Sequence, residues 1–257
     1  MSTEKESTLS KNSFSIIIPV YNEASYILEV LDRIRRVKLV YGIQKQIIIV
    51  DDGSTDKTGE LVTEYKNKNP HHDVQYIKLA INQGRGYAVQ RGIEAATGAY
   101  LIIQDADLEY DPKEYNNLLE PVVDNKADMV FGSRFSGDNL QRTLPFWPAI
   151  GNKALTLISN MFTNLNLTDM GCGYKVYRTK YLKEITLQEK RFGIESELTT
   201  KVSRIKGVRI FEKAVTYYGR TLEQGKKSTW QDGFRALYCI LKYNTWARAR
   251  IKNGDVI

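Results

Sequence analysis

The sequence predicts an α/β fold: a mostly parallel central sheet flanked by helices, with a C-terminal amphipathic helical extension. Two observations predict it. Short β-branched runs alternate with longer stretches whose apolar residues recur at helical spacing, and three acidic or polar clusters fall where those runs end. With 257 residues, 42% hydrophobic and 26% charged, the chain can bury one sizeable core, and its composition excludes a fibrous, collagen-like or wholly disordered protein.

Residues 15–20 (SIIIPV) and 46–50 (QIIIV) read as strands buried on both faces, as in a parallel sheet. Residues 74–79, 100–104 and 129–132 continue the series. Between them, Ile27, Val30, Leu31 and Ile34 form one helical stripe, and Ala88, Val89, Gly92, Ile93 and Ala96 another. After about Ser133 the alternation stops. Residues 140–148, with Pro145, Trp147 and Pro148, read as an irregular loop. Residues 150–165 predict an amphipathic helix whose apolar stripe is expected to bury against the sheet. A mixed segment follows, and residues 230–243 predict a last helix with Trp230, Phe234, Leu237 and Leu241 on one stripe.

No apolar run approaches the roughly 18 residues of a membrane span. The polar start MSTEKESTLSKN lacks the pattern of a signal peptide, so a cytoplasmic location is expected. Cys172 and Cys239 make no metal or disulfide spacing, and His71-His72 reads as a surface loop. Lys plus Arg is 37 against 30 Asp plus Glu, a formal charge of +7 that favours anionic partners: nucleic acid, a phospholipid surface or phosphate-bearing substrates.

The clusters decide among these. Open parallel sheets bind ligands beyond the C-terminal ends of their strands. Asp105 and Asp107, at i and i+2 past a strand, point to one side and offer oxygen ligands to Mg²⁺ or Mn²⁺, with Glu109 two residues on; a solvated acidic turn is the plainer alternative. In Val50-Asp51-Asp52-Gly53-Ser54-Thr55-Asp56, helix capping accounts for Asp56. Asp51 and Asp52 remain at the strand end, where a carboxylate can accept from a base or ribose. Pro19-Val20-Tyr21-Asn22-Glu23 offers a ring to stack on a base and a carboxylate for ribose, although Glu23 equally suits a first helical turn. Asn82-Gln83-Gly84-Arg85-Gly86 leads into a helix. It lacks the phosphate-loop and dinucleotide signatures, so it is either a diphosphate site with Arg85 or a plain turn.

In this order and spacing the four motifs resemble family 2 glycosyltransferases of the GT-A fold. Phe131-Gly132-Ser133-Arg134, Asp169-Met170-Gly171-Cys172-Gly173-Tyr174-Lys175, Gly193-Ile194-Glu195-Ser196-Glu197, and Tyr218-Gly219-Arg220-Thr221 with Gly225-Lys226-Lys227 look like the dolichol- or polyprenyl-phosphate hexose synthase branch. The similarity runs from about Phe14 to Tyr243. It implies one glycosyltransferase domain over 14–246, a nucleotide-sugar half about 14–132 and an acceptor half about 133–246, between a flexible tail (1–13) and a basic tail (247–257). It also implies metal-dependent transfer of a hexose from a GDP-mannose or UDP-glucose type donor, with inversion. Carried over, Asp105 and Asp107 with Glu109 hold the metal on the donor diphosphate. Pro19, Tyr21, Glu23 and Asp52 grip the nucleoside. Arg134 falls at the acceptor phosphate, and Arg220 with Lys226-Lys227 lies on a loop closing over the phosphates.

The acceptor stays open between two chemistries. A sugar hydroxyl needs a general base, for which Glu195 and Glu197 are candidates unless they only start a helix. A phosphate monoester, already charged about −1.5 to −2 near neutrality, needs cations to position it. Arg134, Arg142, Lys153, Lys175, Arg220, Lys226 and Lys227 tip the reading toward polyprenyl phosphate. The alternative is a glycan or small-molecule hydroxyl. The basic C-terminal end (Lys242, Arg248, Arg250, Lys252) suits peripheral contact with an anionic leaflet or a solvated tail. A non-catalytic basic binding protein is the distant alternative. Nucleic acid is not an expected partner, because the strand-end acids would repel its phosphates.

Overall fold

The computed structural model describes residues 9–137, 146–220 and 230–247. Its strands are β1 (Ser10–Val20), β2 (Gln44–Asp51), β3 (Asp73–Lys78), β4 (Gly98–Ile103), β5 (Met129–Ser133), β6 (Lys175–Arg178) and β7 (Ile210–Ala214). They form one sheet in the order β3-β2-β1-β4-β6-β5-β7. β1 pairs parallel with β2 and β4, and β2 parallel with β3. β6 runs antiparallel to both β4 and β5, and β7 is parallel to β5, so β6 alone is reversed. This is the α/β, mostly parallel sheet that the alternation predicts. β1 begins at Ser10, before the expected domain start at 14. Two strands, β6 and β7, lie in the half where the alternation was expected to have stopped.

Period-two alternation sends neighbouring side chains to opposite faces. Ile16 and Ile18 enter one core with Ile27, Leu31, Val62 and Leu118; Ile17 enters the other with Val89, Ile93, Leu198 and Ile240. The first face is covered by α1 (Ile27–Arg36), α2 (Thr58–Lys68) and α4 (Tyr115–Val123). The second is covered by α3 (Arg85–Ala95), α6 (Thr179–Glu184), α7 (Ile194–Ser203) and α8 (Trp230–Asn244).

The remaining helix, α5 (Phe146–Thr163), corrects the sequence expectation twice. Residues 146–148 form its first turn instead of a loop; proline is tolerated there because first-turn N–H groups have no helical acceptor. Its apolar stripe is split: Leu155 and Ile158 pack against the second core as expected, whereas Ile150, Leu157, Met161 and Phe162 are exposed.

Candidate active site

Parallel strands deliver their C-terminal ends to one rim. In the register, Val20 stands beside Asp51, and Ile17 beside Ile103. The segments leaving β1, β2 and β4 therefore emerge side by side. They wall a groove of about 710 Å³ lined by Pro19, Tyr21, Glu23, Asp52, Asp105, Asp107 and Glu109, with Arg85 and Arg220.

On one wall, Asp52 is almost fully buried. Its two oxygens accept the backbone N–H groups of Gln83 (2.8 Å) and Gly84 (2.7 Å), which fixes the glycine-rich turn before α3. Gly84 has φ 102°, and a Cβ there would lie 2.4 Å from the Lys190 carbonyl oxygen, so only glycine fits. Asp51 does not reach the groove. It is fully buried and accepts from the Ser54 N–H (2.7 Å) and the Tyr76 hydroxyl (2.6 Å), shaping the turn after β2. Asp56, expected as a cap, accepts from the Thr58 N–H (2.9 Å) and the Ala24 N–H (3.1 Å), tying the start of α2 to the loop before α1.

The acids past β4 are held by cations. Arg85 forks onto Asp105 at 2.7 and 3.0 Å, and its third nitrogen reaches Glu195 at 2.9 Å. The other Glu195 oxygen accepts from Lys175 at 3.0 Å. Charges thus alternate from Asp105 through Arg85 and Glu195 to Lys175. Burial would raise the Glu195 carboxyl, but Lys175 and Arg85 outweigh it and hold it below the usual carboxylate range. Arg220 closes the opposite wall: its backbone N–H donates to Glu109 (2.7 Å), and its guanidinium stands 3.5 Å from both Glu23 and Asp107. Asp107 is the reverse of Glu195. Burial, then the Asp105 and Glu109 carboxylates, push its carboxyl up to about 7 against the pull of the Glu109 N–H and Arg220.

Among the described residues, no three acidic, histidine or cysteine side chains converge into a ready-made metal cage. A small divalent cation does not require one, because it is usually held by one or two carboxylates and completed by water and phosphate oxygens. Asp105, Asp107 and Glu109 bring hard oxygen donors to one groove, which fits such an ion.

Other expected residues are placed differently. Arg134 lies outside the groove lining and forks onto Asp169 at 2.7 and 2.8 Å, with Asn152 donating to the same carboxylate at 2.8 Å. Its guanidinium stacks 5.1 Å from the Tyr217 ring, whose hydroxyl donates to Glu109 at 2.9 Å. Glu197, a candidate base, is fully buried away from the groove. It accepts the N–H groups of Gln188 (2.9 Å) and Glu189 (2.8 Å) and pairs with Lys201 (2.5 Å), so it anchors the loop before α7. Lys226 and Lys227 lie outside the described residues. Asn82, from the glycine-rich motif, lines the groove as well, and sequence reasoning passed over Arg191, Phe192, Gln231 and Asp232, which also line it. The Lys190-Arg191-Phe192 run beside Gly193 was the one signal available.

Residues 15–186 match the family described as glycosyl transferase family 2. Dodecaprenyl-phosphate galacturonate synthase of Rhizobium johnstonii is 27% identical over 93% of this chain and 69% of its own length. Dolichol-phosphate mannosyltransferase of Pyrococcus furiosus is 28% identical over 89% of this chain and 64% of its own. Among solved structures, glucosyl-3-phosphoglycerate synthase of Mycobacterium tuberculosis, in complex with Mn²⁺, uridine diphosphate and glucosyl-3-phosphoglycerate, superposes with TM-score 0.66 and 18% identity. That match covers 90% of this chain and 79% of that one, and it is a likeness of fold, the GT-A arrangement.

Proposed function

The chain belongs to glycosyl transferase family 2, and we propose that it moves a hexose from a nucleotide-sugar to the phosphate of a polyprenyl phosphate, with inversion at the anomeric carbon. The observation that carries this reading is the state of the acids. Asp107 crowds against Asp105 and Glu109 in the groove, whereas Glu195 and Glu197, the candidate bases, are each tied to cations or amides.

In this reading Pro19, Tyr21, Glu23 and Asp52 hold the nucleoside, and Arg85 with Arg220 flanks the diphosphate. Asp107, with Asp105 and Glu109, would hold Mg²⁺ or Mn²⁺. Such an ion supplies Lewis-acid neutralisation of charge developing on the departing diphosphate. A phosphate acceptor suits the other side of the site. Glu195 is pinned between two cations and held low, and Glu197 is spent on backbone amides, so neither is poised to take a proton from a hydroxyl. A phosphate oxygen already carries its charge and needs only orientation. Arg134, Arg220 and the Lys226-Lys227 pair are the cations assigned to that task, and Tyr217 connects Arg134 to Glu109. The relatives' printed names, which include dodecaprenyl-phosphate and dolichol-phosphate transferases, support the same acceptor class. Such an acceptor lies in a membrane, and we take the enzyme to work at that surface, on the cytoplasmic face.

The test is incubation of purified protein with labelled GDP- and UDP-hexoses, polyprenyl phosphate and Mn²⁺. Label entering an acid-labile lipid product supports the reading. Transfer to a glycan or small-molecule hydroxyl, with none to the lipid, would overturn the acceptor assignment.

A further inference from the structure

Helix α5 rests on the second core through Leu155 and Ile158, yet it also turns a polar row inward and a second apolar row outward. Its polar side faces the protein: Asn152 donates to Asp169 (2.8 Å), Thr156 accepts the Met170 N–H (3.1 Å), and Asn160 donates to and accepts from the Leu167 backbone (2.8 and 3.1 Å). Its second apolar row faces out. Phe146, Trp147, Ile150, Leu157 and Met161 are exposed, Trp147 by 77% and Met161 by 76%. At 1.5 Å per residue this stripe runs about 22 Å along the helix. α8 packs against α5 and exposes aromatic rings of its own, Phe234 (67% exposed) and Tyr238, with Trp246 just past its end. A helix side that faces water carries polar groups; this one spends them inward.

We propose that the α5–α8 face is a docking surface for an anionic phospholipid leaflet. Its composition is that of an interfacial element. Tryptophan, tyrosine and phenylalanine put large apolar rings at the headgroup boundary, and no aspartate or glutamate occurs from Phe146 to Thr168. The charges around the stripe favour lipid over a second copy of the chain. Although Arg235 on α8 is already paired with Glu189, Lys153 is exposed on α5, and the sequence after Trp246 is basic, with Arg248, Arg250 and Lys252. Face-to-face pairing of two copies would bring these cations together, whereas an anionic leaflet attracts them. The hydrogen bond from Asn152 to Asp169, and the fork from Arg134 to the same carboxylate, tie this face to the acceptor side of the site. The inference therefore deepens the proposed function and rests on it only for the identity of what the membrane would present.

The experiment is flotation of the full chain with two kinds of vesicle, phosphatidylcholine alone and an equal mixture of phosphatidylcholine and phosphatidylglycerol. Neither contains polyprenyl phosphate or donor, so membrane binding is read separately from transfer. The wild type is expected to float with the anionic vesicles and less with the neutral ones. The double variant Trp147→Glu, Met161→Glu should lose roughly a hundredfold in partitioning, the scale expected for burying two large apolar side chains, with its melting transition and nucleoside diphosphate binding unchanged. Should that variant fail to fold, Phe234→Ser with Tyr238→Ser on α8 gives the same reading. The proposal is overturned if the wild type floats with neither vesicle or if the folded variant floats as well as the wild type. It is equally overturned if light scattering shows a dimer that the variant splits, since the face would then join two copies. A negative transfer assay with membrane binding intact would count against the acceptor assignment alone.

Discussion

Two regions around the groove hold their carboxylates by different means. At the end of β2, Asp51 and Asp52 accept from the backbone N–H groups of Ser54, Gln83 and Gly84, donors that cannot leave without unfolding a turn. Around β6 and α7, the region proposed to meet the acceptor, Glu195 and Asp169 are held by the side chains of Arg85, Lys175 and Arg134. Backbone-held acids are preorganised and define a fixed shape. Cation-held acids sit in pairs that an incoming phosphate can share, because the same guanidinium fork fits carboxylate and phosphate alike. Glu197 is the exception that sharpens the rule: it takes two backbone amides in the second region, and there it anchors a loop.

The largest effect is expected at the crowded acids. Asp107→Ala, or removal of divalent ions with EDTA, should lower initial transfer rates by roughly 10²–10³-fold, the scale of losing a principal electrostatic stabiliser. Next, Arg134→Lys keeps the charge but loses the fork. It should lower kcat/KM for the lipid acceptor about tenfold with nucleotide affinity unchanged, because Arg and Lys are not equivalent at a bidentate site. An equal loss in nucleotide affinity, read by calorimetry, would erase the distinction between the two regions. Asp52→Ala leaves the Gln83 and Gly84 amides without their acceptor. It should cost about 1–3 kcal/mol of stability, read in denaturant, and weaken donor binding. Glu195→Gln separates the acceptor chemistries: turnover should persist within about tenfold for a phosphate acceptor and nearly vanish if Glu195 were a base.

The smallest effect is a stability change with pH. Asp107 titrates near 7 in the folded chain, above its unfolded value of 3.8. Between those values the folded state binds the extra proton, so its stability falls as pH rises through that window. Without metal, Asp107→Asn should therefore raise the melting temperature at pH 8 by a few degrees while removing activity. Glu189 has the opposite sign. Burial would raise it, but hydrogen bonds from Arg235, Tyr243 and Lys242 hold it at about 2, so the stability it confers is lost as pH falls from 4.5 toward 2.

The first half of the fold was legible because β1 and β2 are continuous β-branched runs and their ends carry the acids. The second half was less so. β6 has four residues and buries Lys175, and β7 is a half-exposed edge strand with Glu212 and Lys213 in it, so neither shows strand periodicity. In α7 the buried positions include Glu197, Thr199, Thr200 and Lys201, a polar set that no hydrophobic pattern reveals. α5 was legible as a helix, yet its orientation was not, because the partners of Asn152, Thr156 and Asn160 come from residues 167–170, distant in any pattern count. Asp105 and Asp107 were legible as a pair past a strand; that Arg85 forks onto Asp105 required the fold.

The most direct test is calorimetric titration of the full chain with nucleoside diphosphate, with and without Mn²⁺, in wild type and Asp107→Asn. Binding is expected to strengthen at least tenfold with the cation in the wild type, and the variant should lose that gain. Equal affinity in EDTA, or an undiminished cation effect in the variant, would contradict a rim of acids gathered to hold a metal–diphosphate pair.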